Sequence, residues 1–182
     1  MAELSLQELP GERIDKATVR IKRLLPGPIE RVWTYLVDSD KRAKWLAAGE
    51  LDPRPGTGLD LLFRHSQLSH EETPQRWCGV DGHVNHCRIT RCEPPHLLSF
   101  TWPEECGEDS AVTFELISQE DDVLLIVTHE RLFDRDTMIN VAGGWHAHLG
   151  LLADQLNGRP PRGFWSAFDA AEQLYTQRFG EE

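Results

Sequence analysis

Between Lys16 and Leu132 this chain repeatedly places apolar residues at every second position, and from Val141 it switches to steps of three and four. A period of two puts alternate side chains on one face of a strand, and a period near 3.6 puts them on one stripe of a helix. Strands with one apolar face need a second layer to cover it, and a long striped helix at the end of the run supplies one. The expected fold class is therefore α+β: a curved antiparallel sheet wrapped around a long C-terminal helix.

The first strand is expected over Lys16 to Leu24, where Ala17, Val19 and Ile21 alternate with Thr18, Arg20 and Lys22. Others are expected over Gly58 to His65, His83 to Cys92, His96 to Trp102, Ser110 to Ser118, and Val123 to Leu132, the most apolar of them. The turns between them fit antiparallel pairing. Ser66 to Cys78 is polar, contains Pro74, and reads as a loop or an irregular strand.

Pro26-Gly27-Pro28 breaks the first strand, and Ile29, Val32, Trp33 and Leu36 then fall at helical spacing. Pro28 suits a first helical position, where its missing N–H costs nothing. Asp38 or Ser39 can cap a second short helix, Asp40 to Leu46, carrying Trp45. The long helix shows a stripe of Val141, Trp145, Leu149, Leu152 and Leu156, and Asn157-Gly158 with Pro160-Pro161 ends it. Gly143-Gly144 inside it costs about 1 kcal/mol per glycine relative to alanine, which marks a bend or a close backbone approach. One more stripe, Phe164, Trp165, Phe168, Ala171, Leu174 and Tyr175, predicts a last helix that docks on the domain or on a second copy of the chain. The expected organisation is a tail over residues 1–15, a domain over 16–158 and a helical extension over 159–182.

A chain of 182 residues can bury a sizeable core, and its formal net charge of −11 disfavours nucleic acid and anionic membrane surfaces. No apolar run approaches the roughly 20 residues that span a bilayer, so no membrane insertion is expected. The N-terminal segment lacks the basic start and apolar centre of a signal peptide. The four cysteines, Cys78, Cys87, Cys92 and Cys106, are too sparse for a disulfide scaffold. Reduced thiols in a cytoplasmic protein are the expectation.

The segment Cys78 to His96 concentrates Cys78, His83, His86, Cys87, Cys92 and His96. Strand geometry argues against a metal site there. His83 and Cys87 share a face but stand about 13 Å apart, while His86 and Cys92 point the other way. No metal and no cofactor is expected. His129 shares a strand face with Leu125 and Val127, so an inward-facing strand would carry its imidazole into the interior, as a polar anchor, an acid–base group or a hydrogen-bonded core histidine. No Ser-His-Asp order and no phosphate loop stands out.

Several of these motifs together resemble the START-like (SRPBCC, helix-grip) superfamily, in the branch named for the activator of heat shock protein 90 ATPase. They are Pro28-Ile-Glu-Arg-Val-Trp33 followed by Trp45; Gly56-Thr-Gly58 before an alternating strand; Glu93 to Trp102; Leu124 to His129; and Gly143-Gly-Trp145 leading into a Leu-rich helix. The resemblance spans roughly residues 16–158, and the last helix is similar to an extension seen in some bacterial members. It implies a sheet gripping a helix across an apolar gap. The expected ligand is a small hydrophobic or aromatic molecule, in a pocket lined by Leu61, Phe63, Phe100, Trp102, Phe114, Leu125, Val127, His129, Trp145 and Leu149. No residue is assigned a catalytic role. The alternatives implied are a cyclase, aromatase or hydrolase using the same pocket, and a chaperone-associated interaction protein. A homodimer through Phe164, Trp165 and Phe168 is a further expectation.

Overall fold

A computed structural model describes residues 8–180. In chain order the elements are β1 (Glu12–Asp15), β2 (Thr18–Pro26), α1 (Ile29–Val37), α2 (Ser39–Ala43), β3 (Gly58–Leu62), β4 (Val84–Glu93), β5 (Leu97–Trp102), β6 (Ser110–Gln119), β7 (Asp122–Glu130), α3 (Arg135–Leu156) and α4 (Phe164–Arg178). Two short 3-10 turns, His65–Gln67 and Gln75–Trp77, lie between β3 and β4. The seven strands form one sheet in the order β1-β2-β7-β6-β5-β4-β3. Every neighbouring pair is antiparallel. From β3 to β7 the chain meanders across the sheet, and β7 then closes against β2. The pair α1–α2 carries the chain from β2 to the far edge.

The period-two pattern becomes one continuous inner face. Val19, Ile21 and Leu25 on β2, Ile89 on β4, Phe100 on β5, Val112, Phe114 and Leu116 on β6, and Val123, Leu125 and Val127 on β7 are all buried. Arg23 falls on the same parity and is equally buried. Its guanidinium donates to the Leu9 carbonyl at 2.7 Å and the Lys22 carbonyl at 2.8 Å. Burial lowers its pKa, with Tyr175 acting in the opposite direction. At one end of the inner face α1 and the turn that follows α2 fill the space with Leu36, Trp45 and Leu46. The Trp45 indole N–H donates to the Tyr35 carbonyl at 2.8 Å, and Arg42 donates to the Leu36 and Ala47 carbonyls, so the polar groups brought inside are paired.

Two elements differ from expectation. Residues 12–15, expected as tail, form the edge strand β1; only Arg13 is even half-buried, so no apolar alternation advertised it. Residues 1–7 of that expected tail lie outside the described residues. The long helix begins at Arg135, ahead of its apolar stripe, because Asp134 caps it by accepting the Thr137 N–H at 2.8 Å.

The inner face of the sheet lies on one side of α3 and α4 on the other, which is why buried residues occur almost all round its second half. A Cβ on Gly143 would sit 3.5 Å from the Glu172 nitrogen and the Phe168 ring, in ordinary contact, so this glycine marks the close approach of the two helices. Phe164, Trp165 and Phe168 are buried within their own chain. In a single copy of the chain these three side chains pack against α3 and the loop between β3 and β4, while Leu174 of the same stripe stays half-buried.

That docking is held by polar groups as well. Asp154 on α3 is buried and accepts from the Arg162 backbone N–H at 3.0 Å and from its guanidinium at 2.8 and 2.9 Å. Burial pushes the Asp154 carboxyl upward, but the Arg162 hydrogen bonds outweigh it and hold the pKa below the usual range. Gly163 has no capping side chain of its own, and a Cβ there would collide with Glu71. The Glu71 carboxylate instead accepts the Ser166 N–H at 3.0 Å, and Ser69 Oγ accepts the Phe164 N–H at 3.1 Å. The β3–β4 loop thus caps a helix far along the chain, where a carboxylate also meets the positive end of the helix dipole.

Removing one partner from a buried ion pair leaves the other unpaired. Asp154→Ala is expected to lower stability by about 2–3 kcal/mol, the low end for a buried pair because Arg162 is partly exposed. Urea unfolding would measure the loss, and amide exchange should rise in α4 well before the sheet. An unchanged urea midpoint would contradict this role for the carboxylate.

Candidate functional site

The inner face changes character along its length. Towards the start of α3 its row of side chains turns polar: Asn85, Ser110 and His129 are buried where the other end carries leucine and phenylalanine. Here α1 and α2 do not reach, and a cavity of about 450 Å³ remains. That volume is typical of small-molecule sites. Phe63, Trp102 and His129 form its sheet side, Val141, Gly144, Trp145 and His148 its α3 side, and Trp77, Val80, Phe164, Trp165 and Phe168 its cover. The exposed lining residues Gly79, His83, Glu105 and Asn140 mark the rim.

His129 lies at the floor, joined to both layers. The Trp145 indole N–H donates to His129 Nδ1 at 3.0 Å. An indole can only donate, so Nδ1 is the acceptor and a neutral ring carries its proton on Nε2. Nε2 then donates to Ser110 Oγ at 2.7 Å, and Ser110 donates onward to Glu104. Burial alone pushes the His129 pKa down to about 3. This tautomer cannot accept the Ser110 proton, so the pair is not a nucleophile and its base. The imidazole is a fixed polar group that pins α3 to β7.

His148 is locked the other way round. It donates Nδ1–H to the Trp45 carbonyl at 2.7 Å, which leaves Nε2 without a proton. Burial first, and His65 second, push its pKa down to about 3. His65 lies between the layers, its ring centroid 5.5 Å from that of His148 and 5.3 Å from that of Trp165. Burial lowers its pKa too. Rings continue around the void in mostly edge-to-face contacts, Trp102 on Trp145 at 5.8 Å and Phe63 on Trp102 at 5.8 Å, as aromatic quadrupoles prefer.

Of the ten residues singled out from the sequence, Phe63, Trp102, His129 and Trp145 line this cavity. Leu61, Phe100 and Phe114 face the other end, around a residual void of about 10 Å³ that has no room for a ligand. Leu125, Val127 and Leu149 are buried in the core between sheet and helix and line neither space. Strand parity identified the inner face but not the position along it. The lining side chains that the sequence did not single out include Asn85 on β4 and Val141 and His148 on α3, and most come from the cover and the loop beside it: His65, Trp77, Val80, Phe164, Trp165 and Phe168. Aromatic residues in an otherwise polar loop, His65 and Trp77, were the available signal. Among the described residues no three His, Cys, Asp or Glu side chains converge as metal ligands, and Asp60 pairs on the outer face with His86 at 2.8 Å. No described helix is long and apolar enough to cross a membrane.

With this geometry in place, comparison with known proteins is informative. The profile of the family described as "Activator of Hsp90 ATPase homolog 1-like protein" matches residues 26–157. The solution structure of the protein encoded by gene BPP1335 of Bordetella parapertussis is 47% identical, with a TM-score of 0.83 over 98% of this chain and 94% of that one. CalU16 of Micromonospora echinospora is 20% identical, with a TM-score of 0.70 over 94% of this chain and 96% of its own. DynU16, described as a protein of the dynemicin biosynthetic locus, is 21% identical, with a TM-score of 0.66 over 81% of this chain and 50% of its own. The last two show the shared fold. No curated protein matches the chain.

The buried imidazoles make stability depend on pH. Unfolded, each takes a proton near pH 6.5; folded, His129 and His148 resist until about pH 3, and His146, lowered by burial and then by Arg23, until about 4. The unfolded state therefore binds more protons in this window, and stability falls as pH is lowered through it. Urea unfolding at pH 7.5 and pH 5 should differ by up to about 2 kcal/mol per imidazole. NMR should show the His129 and His148 rings neutral at pH 5, with the proton on Nε2 and Nδ1 respectively. Titration of either ring near pH 6.5 would contradict the assignment.

Proposed function

Because this chain belongs to the Activator of Hsp90 ATPase homolog 1-like family and carries an aromatic cavity beneath α4, we propose that it binds a small apolar or aromatic molecule there. The observation that carries the reading is the unfilled volume itself. Protein interiors pack to crystal-like density, and a void of about 450 Å³ forfeits many contacts that its lining would otherwise make. A ligand of fifteen to twenty non-hydrogen atoms would restore them. At roughly 0.4 kcal/mol per atom its dissociation constant would be about 10 µM.

Binding is favoured over catalysis by the state of the imidazoles. His129 and His148 are both neutral, both fixed in tautomer by hydrogen bonds within the protein, and both too depressed in pKa to exchange protons near neutrality. Glu105, on the exposed rim, is the one carboxylate on the wall. A surface for a chaperone finds less support: the exposed large hydrophobics, Ile14, Ile117 and Phe133, sit on separate elements.

Gly144 offers a clean test. It lines the cavity, and a Cβ built there meets nothing within 4 Å. Gly144→Leu should fill the void without strain and raise helix propensity, so the fold should keep or gain stability. The neutral fluorescent probe N-phenylnaphthylamine should bind the natural chain one to one, and at least about tenfold more weakly after the substitution. Equal binding to both chains would place the probe elsewhere and overturn the proposed site.

A further inference from the structure

Among the described residues three buried side-chain polar atoms have no hydrogen-bond partner: His65 Nδ1, Trp77 Nε1 and Trp165 Nε1. All three residues belong to the wall of the cavity of about 450 Å³. A buried donor left unpaired is costly, and native proteins carry few of them. Away from the cavity Arg23, Arg42 and Trp45 find partners. The unpaired groups are therefore confined to residues that line the cavity a bound molecule would fill.

Their chemistry narrows what that molecule is. An indole N–H only donates, so Trp77 and Trp165 both call for an acceptor. The two indoles are stacked with centroids 5.9 Å apart, and Trp165 is 95% buried, taking its 5% exposure from the full surface. A single carbonyl oxygen has two lone pairs and brings no hydrogen that needs a partner of its own. A carboxylate would accept equally well, but no lysine or arginine lines the cavity to offset its charge. Arg76 lies over the Trp77 ring at 5.2 Å, yet its guanidinium is engaged by Asp169 at 2.6 Å and Glu172 at 2.7 Å. The only fixed charge on the wall is Glu105, which is negative and repels anions.

We propose that the ligand is a flat, uncharged aromatic carbonyl compound of the aryl ketone or quinone class, its carbonyl oxygen taken up by the indole N–H groups of Trp77 and Trp165. This rests on the binding function proposed above and adds the polar contact that selects the ligand. His65 Nδ1, free to donate or accept according to tautomer, serves a second polar group beside the carbonyl. The three atoms are enclosed by the wall in the empty cavity, so the indole rings turn slightly towards the oxygen as it enters. Trp77 can do so because it ends a short 3-10 turn in a segment that has no sheet partner.

The probes are 9-fluorenone, fluorene and fluorene-9-carboxylate, the first two alike in shape and differing in the carbonyl. Titration calorimetry should give 9-fluorenone an affinity at least tenfold above that of fluorene, with the carboxylate weakest. Trp165→Phe should erase the preference, so that this variant binds 9-fluorenone and fluorene equally, and Trp77→Phe provides the same test at a less buried position. In nitrogen-resolved NMR the indole N–H signals of Trp77 and Trp165 should move with 9-fluorenone and stay in place with fluorene. Equal affinity for fluorene and 9-fluorenone, or tightest binding of the carboxylate, overturns the carbonyl assignment and leaves the binding site standing. Failure of all three to bind overturns both.

Discussion

The hydrogen bond from Trp145 to His129 joins the long helix to the sheet at the one place where they do not pack apolar against apolar. On the packed side of it, leucine and phenylalanine from the inner strand faces meet Leu149 and Leu152 on α3, and the hydrophobic effect alone can hold the layers together. On the other side the layers diverge and leave an open space. The indole–imidazole contact stands at that boundary. It sets the spacing of α3 above β7, it fixes the His129 tautomer, and through Ser110 it continues to Glu104. A buried network of this kind is stable only when each member is satisfied, and here each donor has a partner.

The cavity is the product of two unequal fillings. Helix α1 and the segment just after α2 supply Leu36 and Trp45 to one end of the curved sheet. At the other end the only cover is α4 with the loop between β3 and β4, and these two are stitched into a unit. Glu71 and Ser69 cap α4, Arg76 binds Asp169 and Glu172, and Trp77 stacks on Trp165. The cover rests on α3 through Asp154 and Arg162. The cavity in this fold thus depends on a late segment of chain that adds nothing to the sheet. The Bordetella parapertussis protein aligns over 98% of this chain and 94% of its own, a span that includes the cover.

How much of this was legible in the sequence follows the range of the forces involved. Strand parity and the helix stripe are local, and they gave the inner face, the grip on α3 and the inward turn of His129. The edge strand β1 escaped because an exposed edge needs no apolar alternation. Leu61, Phe100 and Phe114 were grouped with the true lining because parity tells which face a residue is on and says nothing of which end α1 and α2 will fill. The cover was missed for the same reason at longer range. Phe164, Trp165 and Phe168 announced a buried stripe, but the partner that buries them, including a loop capped by contacts some 95 residues apart, is a tertiary fact.

A molecule held as proposed touches the sheet, the long helix and the cover at once. Intermolecular NMR contacts to bound N-phenylnaphthylamine measure this most directly. The account predicts contacts from the probe to ring protons of Trp102, Trp145 and Phe164 in one complex. Contacts confined to outward residues such as Ile117 and Phe133, with none to Trp145, would contradict it.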